Sequence, residues 1–216
     1  ILTWLSSRGK FMFIDNVVHD KAEVKKPWYE YTKEGNSLFL WRLIFGLITF
    51  AVVMVSLVVA FGTIREMYYD DLGLSEMILT ILGMVVYFIV LVILTSYISL
   101  FLSDFIVPIM YKYRISTTRA WYKFLPLFSR FPGHFILYGL FVFVLIILVV
   151  IAVILFGFVT LCIGFLLLII PYISSVVFLP VSYTFRAFSI EYLEQFGEEF
   201  SIFPEEQPSA DELVIE

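Results

Sequence analysis

The sequence predicts an all-α protein, a polytopic transmembrane helix bundle with interfacial amphipathic helices on the cytoplasmic side. Three observations carry this prediction. Of 216 residues, 61% are hydrophobic and 15% charged, and the mean hydropathy is +0.97; a soluble domain is nearer about 45–50% apolar and about 25% charged. The apolar residues gather into runs long enough for a ~30 Å hydrocarbon core, which takes ~20 helical residues. Lys and Arg alternate between the flanks of those runs, the pattern of the positive-inside rule.

One transmembrane helical domain is expected over 1–200. The opening "ILTWL" reads as the tail of a membrane helix whose start lies before Ile1. Residues 24–34 suit a short interfacial segment that Pro27 opens, with Trp28 and Tyr31 toward the membrane. Residues 38–63 form a first crossing, for which Asn36 and Ser37 are suitable N-cap residues. A second crossing occupies 77–101.

An interfacial segment comes next, at 104–131. Its "RISTTRAWYKFLPLFSRF" places Trp121, Phe124, Leu125 and Phe128 at helical spacing, bent at Pro126. Arg114, Arg119, Lys123 and Arg130 give it a basic complement suited to anionic lipid. Two more crossings, 134–160 and 171–196, divide an apolar run too long for one. Pro171 suits the first turn of the last helix; "TLCIGFLLLII" between them, at 160–170, is poor in turn residues. An acidic, disordered tail is expected over 201–216.

The flanks set the orientation. Residues 1–37 carry Arg8, Lys10, Lys21, Lys25, Lys26 and Lys33, and 104–133 carry Lys112, Arg114, Arg119, Lys123 and Arg130. The 64–76 loop has only Arg65, and 160–170 has no basic residue. Both basic segments, and with them the C-terminus, are placed in the cytoplasm.

A tandem parallel repeat fits the same pattern. "FMFIDNVV" resembles "FLSDFIVP", with Asp15 matching Asp104, and "KPWYEY" resembles "RAWYKF". Each then passes a glycine, Gly35 or Gly133, into a membrane run. The repeat predicts a helix before Ile1 matching 77–101, and at least five crossings in the full chain.

Asp104 is the most informative polar residue. A helix starting near Met77 has risen about 40 Å by residue 104, which places the carboxylate at the cytoplasmic interface. Pro108 cannot donate to the Asp104 carbonyl, so the helix is expected to kink or restart, with Ser103 or Asp104 capping the restarted helix. A structural ion pair of Asp104 with Arg42 or Arg186, at similar depth, is the second reading. A proton or ion relay is the third, and the core offers mainly isolated Ser and Thr to support it.

His134, at the start of a crossing, reads as an interfacial polar residue, with pigment or metal ligation as the alternative. His19 reads as solvated and Cys162 as a small buried apolar residue. Gly46, Gly83, Gly139, Gly157 and Gly164 are expected to permit close helix approach. Nucleophile-elbow, Walker A, dinucleotide-binding and H-E-x-x-H motifs are absent from the sequence. The acidic pairs Asp70-Asp71, Glu198-Glu199 and Glu205-Glu206 read as solvated charges. No catalytic residue, cofactor or metal is therefore expected.

At "SDFIVPIMYKYRISTTRAWYKFLPLFSRFPGHFILYGL" and "IPYISSVVFLPVSYTFRAFSIEYLEQFG" the chain resembles a family of uncharacterised bacterial integral membrane proteins. The resemblance rests on Asp104–Met110, on Pro132–Phe135, and on Arg186 with Tyr192–Gly197, where position 192 is Tyr rather than Phe. The family is distantly similar to the multi-helix membrane domain attached to some glycerophosphodiester phosphodiesterases. That similarity implies an all-α polytopic fold and no activity.

The expected function is a non-catalytic integral membrane subunit or scaffold of the bacterial inner membrane. Its expected partners are the bilayer, anionic lipids at the cytoplasmic face and other membrane subunits, and not nucleic acid. Trp28, Tyr31, Arg119, Trp121, Lys123 and Arg130 are the expected lipid contacts. The alternative is a small transporter or lipid-handling permease with a polar cavity lined by Arg42, Asp104 and Arg186.

Overall fold

The computed structural model describes residues 2–19, 23–69, 73–160, 164 and 168–202. Helix α1 (Leu2–His19) leads through the short α2 (Lys25–Glu30) into α3 (Thr32–Tyr69). Helix α4 (Leu74–Phe101) passes through a π-helical turn, Leu102–Ile106, into α5 (Val107–Tyr113). Then come α6 (Thr117–Arg130), α7 (Pro132–Val159) and α8 (Pro171–Glu194), with a 3₁₀ turn at Glu198–Phe200. The described residues contain no strand. Cys162, Asp70-Asp71, Glu205-Glu206 and the 203–216 part of the expected tail lie outside the described residues.

Among the described residues, four helical stretches are long and apolar enough to cross a membrane: 32–69, 74–113, 132–159 and 171–194. The chain is thus compatible with a multi-pass membrane protein. At ~1.5 Å per residue the first two far exceed a ~30 Å core, so their ends project beyond it. Successive spans run antiparallel. The Ser56 and Tyr87 hydroxyls, in the second half of α3 and midway along α4, lie 2.8 Å apart. The Tyr97 hydroxyl of α4 donates to the Ile136 carbonyl at 3.2 Å, and Phe141 of α7 meets Phe188 of α8 at 5.3 Å between ring centroids.

The core lies at one end of this layout, the end rich in Lys and Arg. Phe11 and Ile14 of α1, Leu38 of α3, Phe105 of the π turn, Phe124 of α6 and Phe135 of α7 are fully buried there. Phe105 is the hub: its ring stacks on Phe124 at 5.4 Å and meets Phe135 edge-on at 5.1 Å and Tyr138 at 4.8 Å. Such pairs add to area burial through their ring quadrupoles. The apolar stretches of the spans behave differently. None of the most apolar window of α3 or α4 is buried within the chain, and only 11% and 17% of those of α7 and α8. These helices meet near the basic end and turn their apolar sides outward along the rest.

Several local expectations are corrected by this packing. The first span starts at Thr32, ahead of Asn36 and Ser37, which therefore do not cap it. Asn36 instead accepts from the Trp4 indole at 3.1 Å. The Ser37 hydroxyl accepts the backbone N–H of Thr117 at 3.0 Å, satisfying one free donor at the start of the neighbouring α6. The apolar stripe of α6 faces protein: Ala120 and Phe124 are fully buried and Trp121 stacks on Trp41 at 5.7 Å. Leu125, also on the expected lipid stripe, is exposed.

Among the described residues, glycine matters at two close approaches between helices, and at Gly164 a Cβ would crowd Thr160 and Phe156, near in sequence. A Cβ on Gly35 would lie 2.8 Å from Arg8 Cγ, so this glycine lets α1 cross α3. A Cβ on Gly139 would collide with the Tyr97 ring. Gly46 and Gly83, expected at close approaches, face open space instead.

Candidate functional site

The polar residues at the basic end collect around the π turn. Its cause is local. Within a helix, Pro108 has no N–H to give and its ring crowds the carbonyl four residues back. The chain widens by one residue here, and the Val107 N–H reaches the Leu102 carbonyl, five positions back. In that register the Ser103 carbonyl would await the N–H of residue 108, a proline. Arg186 of α8 fills the gap: its Nη1 donates to the Ser103 carbonyl at 2.6 Å. The expected kink or restart is thus a continuous π turn, and neither Ser103 nor Asp104 makes a capping hydrogen bond.

Two further side chains join this turn, and a third lies beside it. The Tyr138 hydroxyl of α7 donates to Asp104 Oδ2 at 3.0 Å. The Lys10 ammonium of α1 donates to the Ser103 hydroxyl. Arg42 of α3 reaches across to α1, where its Nη1 donates to the Ser6 and Ser7 hydroxyls at 3.3 and 3.2 Å. Four helices and the π turn are tied together within one cluster. Asp104 makes no direct ion pair with Arg42 or Arg186. Arg186 shares the cluster through the adjacent carbonyl, and Arg42 lies at its edge. Burial pushes the Lys10 ammonium down to about 8; repulsion from Arg42 and Arg186 adds to this, and Asp104 opposes it.

A second cluster occupies the loop side. Asp15 Oδ1 accepts from Tyr31 at 3.0 Å and from Tyr111 at 2.7 Å, with His19 beside it at 3.5 Å. The Arg114 guanidinium lies 3.8 Å over the Tyr31 ring and pairs with Glu30. Tyr31, expected to face lipid, is only 5% exposed and belongs to this cluster.

The other expected lipid contacts divide. Arg119 and Arg130 are exposed, Trp28 is half-buried against Trp4, and Trp121 is half-buried on Trp41. Lys123 sits 3.1 Å over the Tyr113 ring. His134 is exposed, and its carbonyl accepts from Tyr192 at 2.9 Å. Among the described residues no three His, Cys, Asp or Glu side chains come together as metal ligands would.

Lys10 and Tyr138 are the site residues that sequence reasoning missed. Lys10 reads as one more basic flank residue, and Tyr138 as one aromatic among many. The repeat offered a signal for Tyr138: it falls in "HFILYGLF" where Arg42 falls in "LFLWRLIFG".

The profile of the family of unknown function DUF7544 matches residues 1–184, and the chain belongs to that family. No curated protein and no solved structure matches the chain.

Proposed function

We propose that the chain is a non-catalytic integral membrane subunit or scaffold, whose spans present apolar surface to partner helices and lipid. One observation supports this above the others: no residue in the most apolar windows of α3 and α4 is fully buried within the chain. A bundle complete in itself would cover one face of each span. Here the helices are fastened at one end, leaving long apolar flanks free for other membrane helices.

The setting belongs to the same proposal. The chain sits in a bacterial inner membrane, with the basic end and the C-terminus in the cytoplasm. Exposed Arg119 and Arg130 lie toward anionic headgroups there. The order α1, α2, α3 parallels the order α5, α6, α7, as two tandem repeats would, and the architecture is akin to the membrane domain of some glycerophosphodiester phosphodiesterases. Mild-detergent purification from native membrane, with mass spectrometry of co-eluting proteins and lipids, tests the subunit reading. A stoichiometric protein partner supports it; a chain that elutes alone at every detergent strength contradicts it.

A second reading, a small transporter or lipid-handling permease, is favoured by a polar cavity beside Lys10 and Arg42; of the expected lining residues Arg42, Asp104 and Arg186, only Arg42 lines it. It predicts that Asp104→Asn abolishes flux in a protein that still folds.

A further inference from the structure

Between α1, α3 and α4 at the basic end lies a cavity of about 600 Å³. Lys10 and Arg42 supply its two charges, Thr49, Ser96 and Ser99 its hydroxyls, and Phe45 part of its apolar wall. Among the described residues no Asp or Glu lines it, and neither cation forms an ion pair with a carboxylate. Lys10 uses one donor on Ser103, and Arg42 uses only Nη1, on two hydroxyls. Cations at membrane depth ordinarily find a counter-charge; Asp104 acts on Lys10 from outside the cavity without pairing with it. Both cations leave donors free, side by side, toward a space ringed with hydroxyls.

We propose that this cavity binds a phosphate group of net negative charge, held by Lys10 and Arg42. The chemistry follows from the donors. An oxyanion accepts several charge-assisted hydrogen bonds at once, and a guanidinium fork suits phosphate geometry. The lining hydroxyls take the remaining oxygens. Depth fits as well. Arg42 lies about 6 Å beyond Leu38, where the apolar run begins, so its side chain reaches the level of lipid phosphates. Burial depresses the Lys10 ammonium first and repulsion from Arg42 and Arg186 adds to it; a bound anion relieves that added repulsion. This site is separate from the exposed arginines of α6, and it does not depend on the subunit reading.

Two sources carry this chemistry, an anionic phospholipid headgroup and free phosphate. The test uses the full-length protein in phosphatidylcholine nanodiscs, with either phosphatidylglycerol or inorganic phosphate added. Retained lipid is read by native mass spectrometry, and phosphate binding by thermal shift. Retention of phosphatidylglycerol over phosphatidylcholine assigns a headgroup. Stabilisation by inorganic phosphate in phosphatidylcholine alone assigns a free anion. Arg42→Gln should weaken either by about tenfold, the worth of one charge-assisted hydrogen bond.

Gly46→Leu provides a variant that keeps both charges. Gly46 lines the cavity, and a Cβ there meets nothing within 4 Å, so leucine fills the space without disturbing the helix contacts. It should abolish binding at unchanged melting temperature. Arg119→Gln with Arg130→Gln should leave binding intact. The proposal is overturned if neither ligand binds, if Gly46→Leu binds as the parent does, or if the α6 pair of substitutions removes binding instead.

Discussion

Arg186 gives the Ser103 carbonyl the hydrogen bond that Pro108, lacking an N–H, cannot give. A defect made by one residue is thus repaired from a helix 83 positions away in sequence. The π turn, Arg186 and the aromatic residues around Phe105 are one structural device, which fastens α8 to the junction of α4 and α5. Asp104 lies inside this device as an acceptor for Tyr138. The arrangement supports a structural role for the carboxylate ahead of a catalytic one.

Tyr138→Phe should cost about 1–2 kcal/mol, because it leaves an oxygen of the half-buried Asp104 carboxylate without its donor. Asp104→Ala should cost about as much or more, since Lys10 and Arg186 then lose the carboxylate facing them. Asp104→Asn keeps an acceptor for Tyr138 and should be the mildest. Reversible unfolding in mixed micelles gives this order. Wild-type melting in Asp104→Ala would refute the structural role.

Gly139→Val should destabilise by about 1–3 kcal/mol through overpacking on the Tyr97 ring. Tyr97→Ala in the same chain should recover part of that loss by removing the obstacle. Gly46→Ala, facing open space, should be neutral or slightly stabilising. Equal effects at positions 46 and 139 would contradict the packing described here.

Phe105→Ala empties the centre of the aromatic core and should cost about 3–5 kcal/mol. Leu155→Ala, on an exposed side of α7, should change stability little. The contrast measures how far the fold depends on its basic end.

Burial, assisted by Asp15, pushes the Tyr31 phenol up to about 12, against the opposing influence of the Tyr111 hydroxyl and the Arg114 charge. Its folded value lies above its unfolded value near 10, so this contribution to stability is complete below pH 10. It is lost as pH rises from 10 toward 12. Unfolding curves across that window should fall more steeply for the parent than for Tyr31→Phe; parallel curves would show that Tyr31 does not titrate differently on folding.

The four spans were legible because ~20-residue apolar runs between charged flanks have one common solution in a bilayer. Arg186 was legible as a partner near Asp104 because both fall at the basic ends of their helices. What it touches was not, since that depends on a π turn that only the folded register reveals. Helix α6 shows a different limit. A stripe containing Trp121, Phe124 and Phe128 satisfies lipid and protein core alike, and periodicity does not distinguish them. Tyr31 failed for the same reason. Lys10 stayed hidden because its partner Ser103 comes from the π turn, and no spacing along α1 announces it.

The central claim is that Arg186 stands in for the proline's missing N–H and so holds the basic end together. A double-mutant cycle on Pro108→Ala and Arg186→Ala tests it most directly, with stability read by reversible unfolding in lipid micelles. Arg186→Ala alone should cost about 2–3 kcal/mol, the range for a charge-assisted hydrogen bond to a buried carbonyl. In the Pro108→Ala background the restored N–H should satisfy Ser103, and the cost of losing Arg186 should fall by at least about 1 kcal/mol. The same cost in both backgrounds would contradict the account.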